Sequence, residues 1–133
     1  MSGSPVPDFF FRFAMRRTHE SELDHVLAAT AATLDILFLW GRDCVNCDIA
    51  KREILDSAER FRWAHVRWLH DNVYDDAGMG TRFGLHGIPA FIVFHHARKI
   101  GRITAWPGTD AFVATIDRQI ALLAARHAAD AGG

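Results

Sequence analysis

Apolar positions along this chain alternate between short uninterrupted runs and runs spaced three and four residues apart. The segment LDILFLW (34–40) is a compact apolar run of strand length and reads as a buried central strand. AHVRWLH (64–70) gives a second strand, with Val66 and Trp68 alternating against His65 and Arg67. AFIVF (90–94) and KIGRITAW (99–106) are two more, joined by HHAR as a hairpin, and DFFFRF (8–13) reads as a first short strand. Helical spacing fills the intervals. From Thr18, a capping residue, Glu20 and Glu22 fall in a first turn and Leu23, Val26 and Leu27 share a face. A second helix starts near Cys44, with Cys47, Ala50, Ile54 and Ala58 at three- and four-residue steps. The Asp- and Gly-rich stretch 71–80 leads to a short helix near Thr81 to Phe83. An amphipathic helix from Thr109 aligns Phe112, Ile116, Ile120 and Leu123. The order β-α-β-α-β-α-β-β-α predicts one α/β domain over 1–133: a central mixed sheet flanked by helices, with loose ends at about 1–8 and 128–133.

Length and charge narrow the classes. At 133 residues, half of them apolar, the chain can bury one substantial core. Its 15 basic and 16 acidic residues leave a net charge of −1 without a like-charge block, so a nucleic-acid or anionic-membrane surface has no support. The early run PDFFFRFAMRR is a poor secretory signal: its apolar part is short, broken by Arg12, and followed by charge instead of preceded by it. ILFLWG is far too short to span a bilayer. The expectation is a soluble, cytoplasmic chain.

The chain has two cysteines, Cys44 and Cys47, three apart. A disulfide framework of the kind that staples small secreted domains needs more. Placed after a buried strand and a turn containing Gly41, Cys44 lies at a helix N-terminus. There the dipole and free N–H groups lower a thiol pKa from about 8.5 to as little as 3.5–7.5. Cys47, one turn further in, is less exposed, which suggests an outer nucleophile and an inner resolving thiol. A structural zinc site would need two further ligands. His65 and His70 sit five apart across a predicted strand, on opposite faces, and His95 with His96 reads as a solvated turn. No metal ligand set is expected. Two inert core cysteines would have no reason to fall at a strand-to-helix junction. A second motif, GLHGIPAFIVF (84–94), places Pro89 immediately before a strand, where it either merely starts the strand or adopts a cis bond.

Over roughly residues 34–126 these stretches resemble the thioredoxin superfamily. The resemblance rests on Trp40-Gly-Arg-Asp-Cys44-Val-Asn-Cys47, on Phe83-Gly-Leu-His-Gly-Ile-Pro89 with the strand after it, and on the Gly108 loop before the last helix. It implies a thioredoxin-like fold, a cis Pro89 beside the cysteines, and an Ile88 backbone that pairs with a bound substrate strand. Trp40 then belongs to the core or the active-site wall. It also implies thiol–disulfide exchange: Cys44 thiolate attacks a substrate disulfide and Cys47 resolves the mixed disulfide. No organic cofactor is needed, and the proline disfavours metal capture. The partners implied are a disulfide-containing protein substrate and a second redox partner that recharges the couple.

This chain departs from the family at three points. Val45-Asn46 replaces Gly-Pro between the cysteines, and Asp43 stands where a Trp usually precedes the first one, its charge opposing a thiolate with Arg42 as a possible offset. Six residues before the first cysteine, where the family buries an Asp that moves the resolving thiol's proton, this chain has Phe38. Asp48, Asp43, His86 or water are the candidates to replace it. His86 is the preferred pH-responsive neighbour, with a plain surface residue as the competing reading. Trp106 reads either as an exposed partner grip or as a buried strand-end residue. The expected function is a thiol–disulfide oxidoreductase that reduces protein disulfides. The alternatives are an oxidase or isomerase, and a thioredoxin-fold binding or assembly module with little redox activity.

Overall fold

A computed structural model describes residues 5–132, the side chain of residue 132 excepted. The chain runs α1 (Phe9–Arg12), β1 (Arg16–Arg17), α2 (Glu20–Ala28), β2 (Leu34–Trp40), α3 (Val45–Asp56), a 3-10 turn (Ala58–Phe61), β3 (Val66–Asn72), α4 (Ala77–Phe83), β4 (Ala90–His95), β5 (Arg98–Thr104) and α5 (Thr109–Gly132). The uninterrupted apolar run is β2, buried on both faces at the centre of a five-stranded mixed sheet ordered β1-β3-β2-β4-β5. β2 pairs parallel with β3 and antiparallel with β4.

Alternation along β2 divides the core in two. Leu34, Ile36 and Phe38 face Ala50 and Ile54 of α3, Phe112 and Ile116 of α5, and Phe9 and Phe13 from the α1 segment. Leu37 and Leu39 face Leu23, Val26 and Leu27 of α2 and Met79 and Phe83 of α4. The β4–β5 connection is the tight hairpin expected: His96 and Ala97 both take positive φ (48° and 68°), as a two-residue turn matching the strand twist requires.

Three expectations are corrected. DFFFRF is helical at its centre, because a helix brings Phe9 and Phe13 onto one buried side, stacked at 6.0 Å. A strand would have put Phe11 beside them, and Phe11 is instead 94% exposed. The edge strand is the two-residue β1. Thr18 does not cap α2; it is buried, its N–H donates to the His70 carbonyl, and His19 caps in a reciprocal box with Glu22. At the other end, α5 continues through residues 128–131, all exposed, so this terminal stretch is helical where the sequence suggested a loose end. Residues 1–4 lie outside the described residues. Among the described residues no helix is long and apolar enough to cross a membrane.

Candidate active site

The end of β2 builds the site. Gly41 follows Trp40, and a Cβ there would come under 3.0 Å from both the Tyr74 ring and Ile88 Cδ1, so only glycine fits. The chain then turns through Asp43, at φ 56°, and delivers Cys44 to the N-cap of α3. Cys44 and Cys47 form a disulfide, with their Cα atoms 5.2 Å apart. The Cys47 N–H donates to Cys44 Sγ at 3.1 Å, so the helix end points a backbone donor at the outer sulfur. Cys44 is half-buried and Cys47 fully buried. Beside them the Ile88–Pro89 peptide is cis, and Cys44 Sγ lies 3.7 Å from the Ile88 carbonyl oxygen.

A cleft of about 410 Å³ opens next to the disulfide, walled by Val6, Phe10, Trp40, Cys44, Val45 and Lys51 among others. Phe10, Trp40 and Lys51 of its wall pack together with His70. Trp40 Nε1–H donates to His70 Nδ1 at 3.1 Å, Phe10 stacks on His70 at 3.7 Å, and Lys51 Nζ sits 3.9 Å from the Trp40 ring centre. The Trp40 bond assigns His70 the neutral tautomer with its proton on Nε2. Burial, and then the charges of Arg17 and Lys51, push the His70 pKa down to about 4. Burial also lowers the Lys51 pKa, against the pull of Asp48. Ring contact with a desolvated ammonium offsets part of that burial.

The sequence-derived candidates divide. Cys44, Cys47, Trp40, Ile88 and Pro89 converge on one site. Asp43 is exposed in the turn. Arg42 reaches away from it, pairing with Asp75 at 3.4 Å and lying over Tyr74. His86 is exposed on the loop before Ile88. Phe38 fills the position expected for a buried acid with a ring stacked on Phe91 at 4.9 Å. Trp106 packs against Phe61, Phe91 and Phe112, which supports its reading as a packed residue. Sequence reasoning missed Lys51, His70 and Phe10. Lys51 had a signal, its four-residue spacing from Cys47, whereas Phe10 reaches the site only because α1 is helical.

Asp71 was also missed. It is fully buried on β3, and among the described residues its carboxyl meets no donor of its own, only the Asp76 carboxylate, with which it can share a proton. Burial, then the Asp76 carboxylate beside it, push its pKa up to about 8, with Arg17 pulling back. Asp76 moves the other way, lowered chiefly by its interaction with Asp71.

No family model matches the chain, and no curated protein matches it. Solved structures do. Thioredoxin f2 of Chlamydomonas reinhardtii superposes with a TM-score of 0.68 at 16% identity, over 80% of this chain and 96% of that one. A mutant thioredoxin of Halobacterium salinarum gives 0.65 at 16% identity, over 87% and 95%. A designed protein gives 0.65 at 14% identity, over 80% and 97%. The shared architecture includes the mixed five-stranded sheet and its flanking helices, which makes this chain a protein of the thioredoxin fold, carrying a Cys-x-x-Cys pair at the start of the helix after its central strand.

Proposed function

We propose that the chain is a thiol–disulfide oxidoreductase that reduces disulfides in protein substrates. The observation that carries this is the asymmetry of the pair: Cys44 half-buried at a helix N-cap, Cys47 fully buried one turn below, and the Ile88 carbonyl at 3.7 Å from the outer sulfur. In the reduced protein, Cys44 thiolate attacks one sulfur of a substrate disulfide and expels the other as a thiolate. Cys47 then loses its proton and attacks Cys44, forming the intramolecular disulfide and releasing the second substrate thiol. Two electrons pass to the substrate, and a separate reducing partner returns the pair to dithiol. A substrate strand laid beside the cis peptide would take backbone pairing from Ile88, and Val45 and Tyr74, 58% and 56% exposed, offer apolar contact. A cytoplasmic setting goes with this direction, since reducing compartments keep such pairs as dithiols.

Equilibration in graded redox buffers, followed by thiol alkylation, tests the reading. A potential near −270 mV is expected for a reductase. A value of about −120 to −180 mV would indicate an oxidase or isomerase instead. A pair that never forms a disulfide leaves the binding or assembly module as the function. Cys44→Ser abolishes turnover of a disulfide substrate, and Cys47→Ser accumulates the mixed disulfide and so identifies the partner.

A further inference from the structure

Asp71 is not used by the exchange proposed above. It follows His70 on β3 and therefore points to the other face of the sheet, the side of Leu69, Leu23 and Met79 beneath α2 and α4. A carboxylate buried in such a place is costly unless something positive or protic meets it, and among the described residues Asp71 meets no donor, only the Asp76 carboxylate with which it can share a proton. What it does face is two further ligand-type groups. Asp71, Asp76 and His19 bring one ligand atom each to within 4.8 Å of one another, with His19 Nδ1 3.9 Å from Asp76 Oδ2.

The surroundings hold these groups in place. Asp76 accepts the Glu20 N–H at 2.7 Å, and the His19 N–H donates to Glu22 Oε1 at 3.1 Å, so both outer ligands are oriented by the first turn of α2. The nearby cation, Arg17, ends on Asp75 at 3.6 Å. A shared proton between Asp71 and Asp76 would engage two of the three converging groups, with His19 left to cap α2 and face Asp76. A metal ion uses all three. One imidazole nitrogen with two carboxylates suits a borderline divalent transition metal such as Zn²⁺ better than Ca²⁺ or Mg²⁺, which prefer all-oxygen sites.

We infer that His19, Asp71 and Asp76 form a binding site for one divalent transition-metal ion on the α2/α4 side of the sheet, separate from the disulfide. Exposed His19 is the entry, buried Asp71 the inner ligand, and the remaining coordination positions are open to water. Asp75, next to Asp76, pairs with Arg42 of the active-site turn, so a bound ion would brace the loop that carries Tyr74 against Gly41.

The test is titration of Zn²⁺ into untagged, chelator-stripped protein in its disulfide form, followed by calorimetry. Blocking the thiols in the disulfide separates this site from any binding by Cys44 and Cys47. One saturable Zn²⁺ per chain is expected, weakened at least tenfold in His19→Gln and lost in Asp71→Asn. His19 is exposed, so His19→Gln folds whatever becomes of the buried variant. Absence of saturable binding by the wild type would overturn the inference in favour of a protonated buried acid. Binding that survives both substitutions would overturn it too, by placing the ion elsewhere.

Discussion

His70 and Asp71 are neighbours on one strand, both buried and both titratable, yet the fold treats them oppositely. His70 points to the α1/α3 side, where its ring is engaged twice: Nδ1 accepts from Trp40 and its face stacks on Phe10. Asp71 points to the α2/α4 side, where among the described residues its carboxyl meets only the Asp76 carboxylate. The lesson concerns protonation. A buried polar group is held in whichever state its neighbours can satisfy, so burial keeps the histidine neutral and, with the Asp76 carboxylate beside it, favours the protonated form of the acid. The same contrast divides the molecule in space, with the disulfide and its cleft at one side of the sheet and the carboxylate–imidazole cluster at the other.

Breaking the satisfied side should cost most. His70→Ala removes a stacked ring and leaves the Trp40 indole N–H without its acceptor, for a loss of about 4 kcal/mol in urea unfolding. Acid attacks the same group. Because the folded pKa of about 4 lies below the ordinary 6.5, the unfolded chain binds the extra proton first. The stability His70 contributes is complete above pH 6.5 and is lost as pH falls toward 4, by about 3 kcal/mol at 1.36 kcal/mol per unit. His70→Asn should flatten that part of the pH–stability profile, measured against the wild type.

On the unsatisfied side the expected change is smaller. In the presence of chelator, Asp71→Asn should alter unfolding free energy by no more than about 1 kcal/mol, because the amide is a neutral group of the same shape as the protonated acid and can donate to Asp76 in its place. A loss as large as that of His70→Ala would erase the comparison. The smallest effect is kinetic. Lys51→Met keeps the stem over Trp40 but removes the charge, so alkylation of reduced Cys44 at neutral pH should slow by roughly threefold as its thiolate is less favoured.

Much of the site was legible because it depends on local sequence. Cys44 at an N-cap follows from a strand, a turn with Gly41 and a helical repeat, all contiguous. The α1 segment was not legible, since Phe9, Phe10, Phe11 and Phe13 fit either a strand face or a helix until α3 and β3 supply the surface they pack on. Tyr74 over Gly41 was equally hidden, because the steric need for glycine comes from a loop distant in the chain.

By itself, the sequence determined the periodicities, and through them the central strands, the hairpin, the last helix and the placement of both cysteines at a helix start. Tertiary structure decided which polar side chains meet. His70 meets Trp40 through the parallel register of β2 with β3, and Asp71 meets His19 and Asp76 because α2 and α4 begin on the same side of that sheet. Periodicity says which face of an element is buried; only the packing of distant elements says what a buried charge or ring will find there.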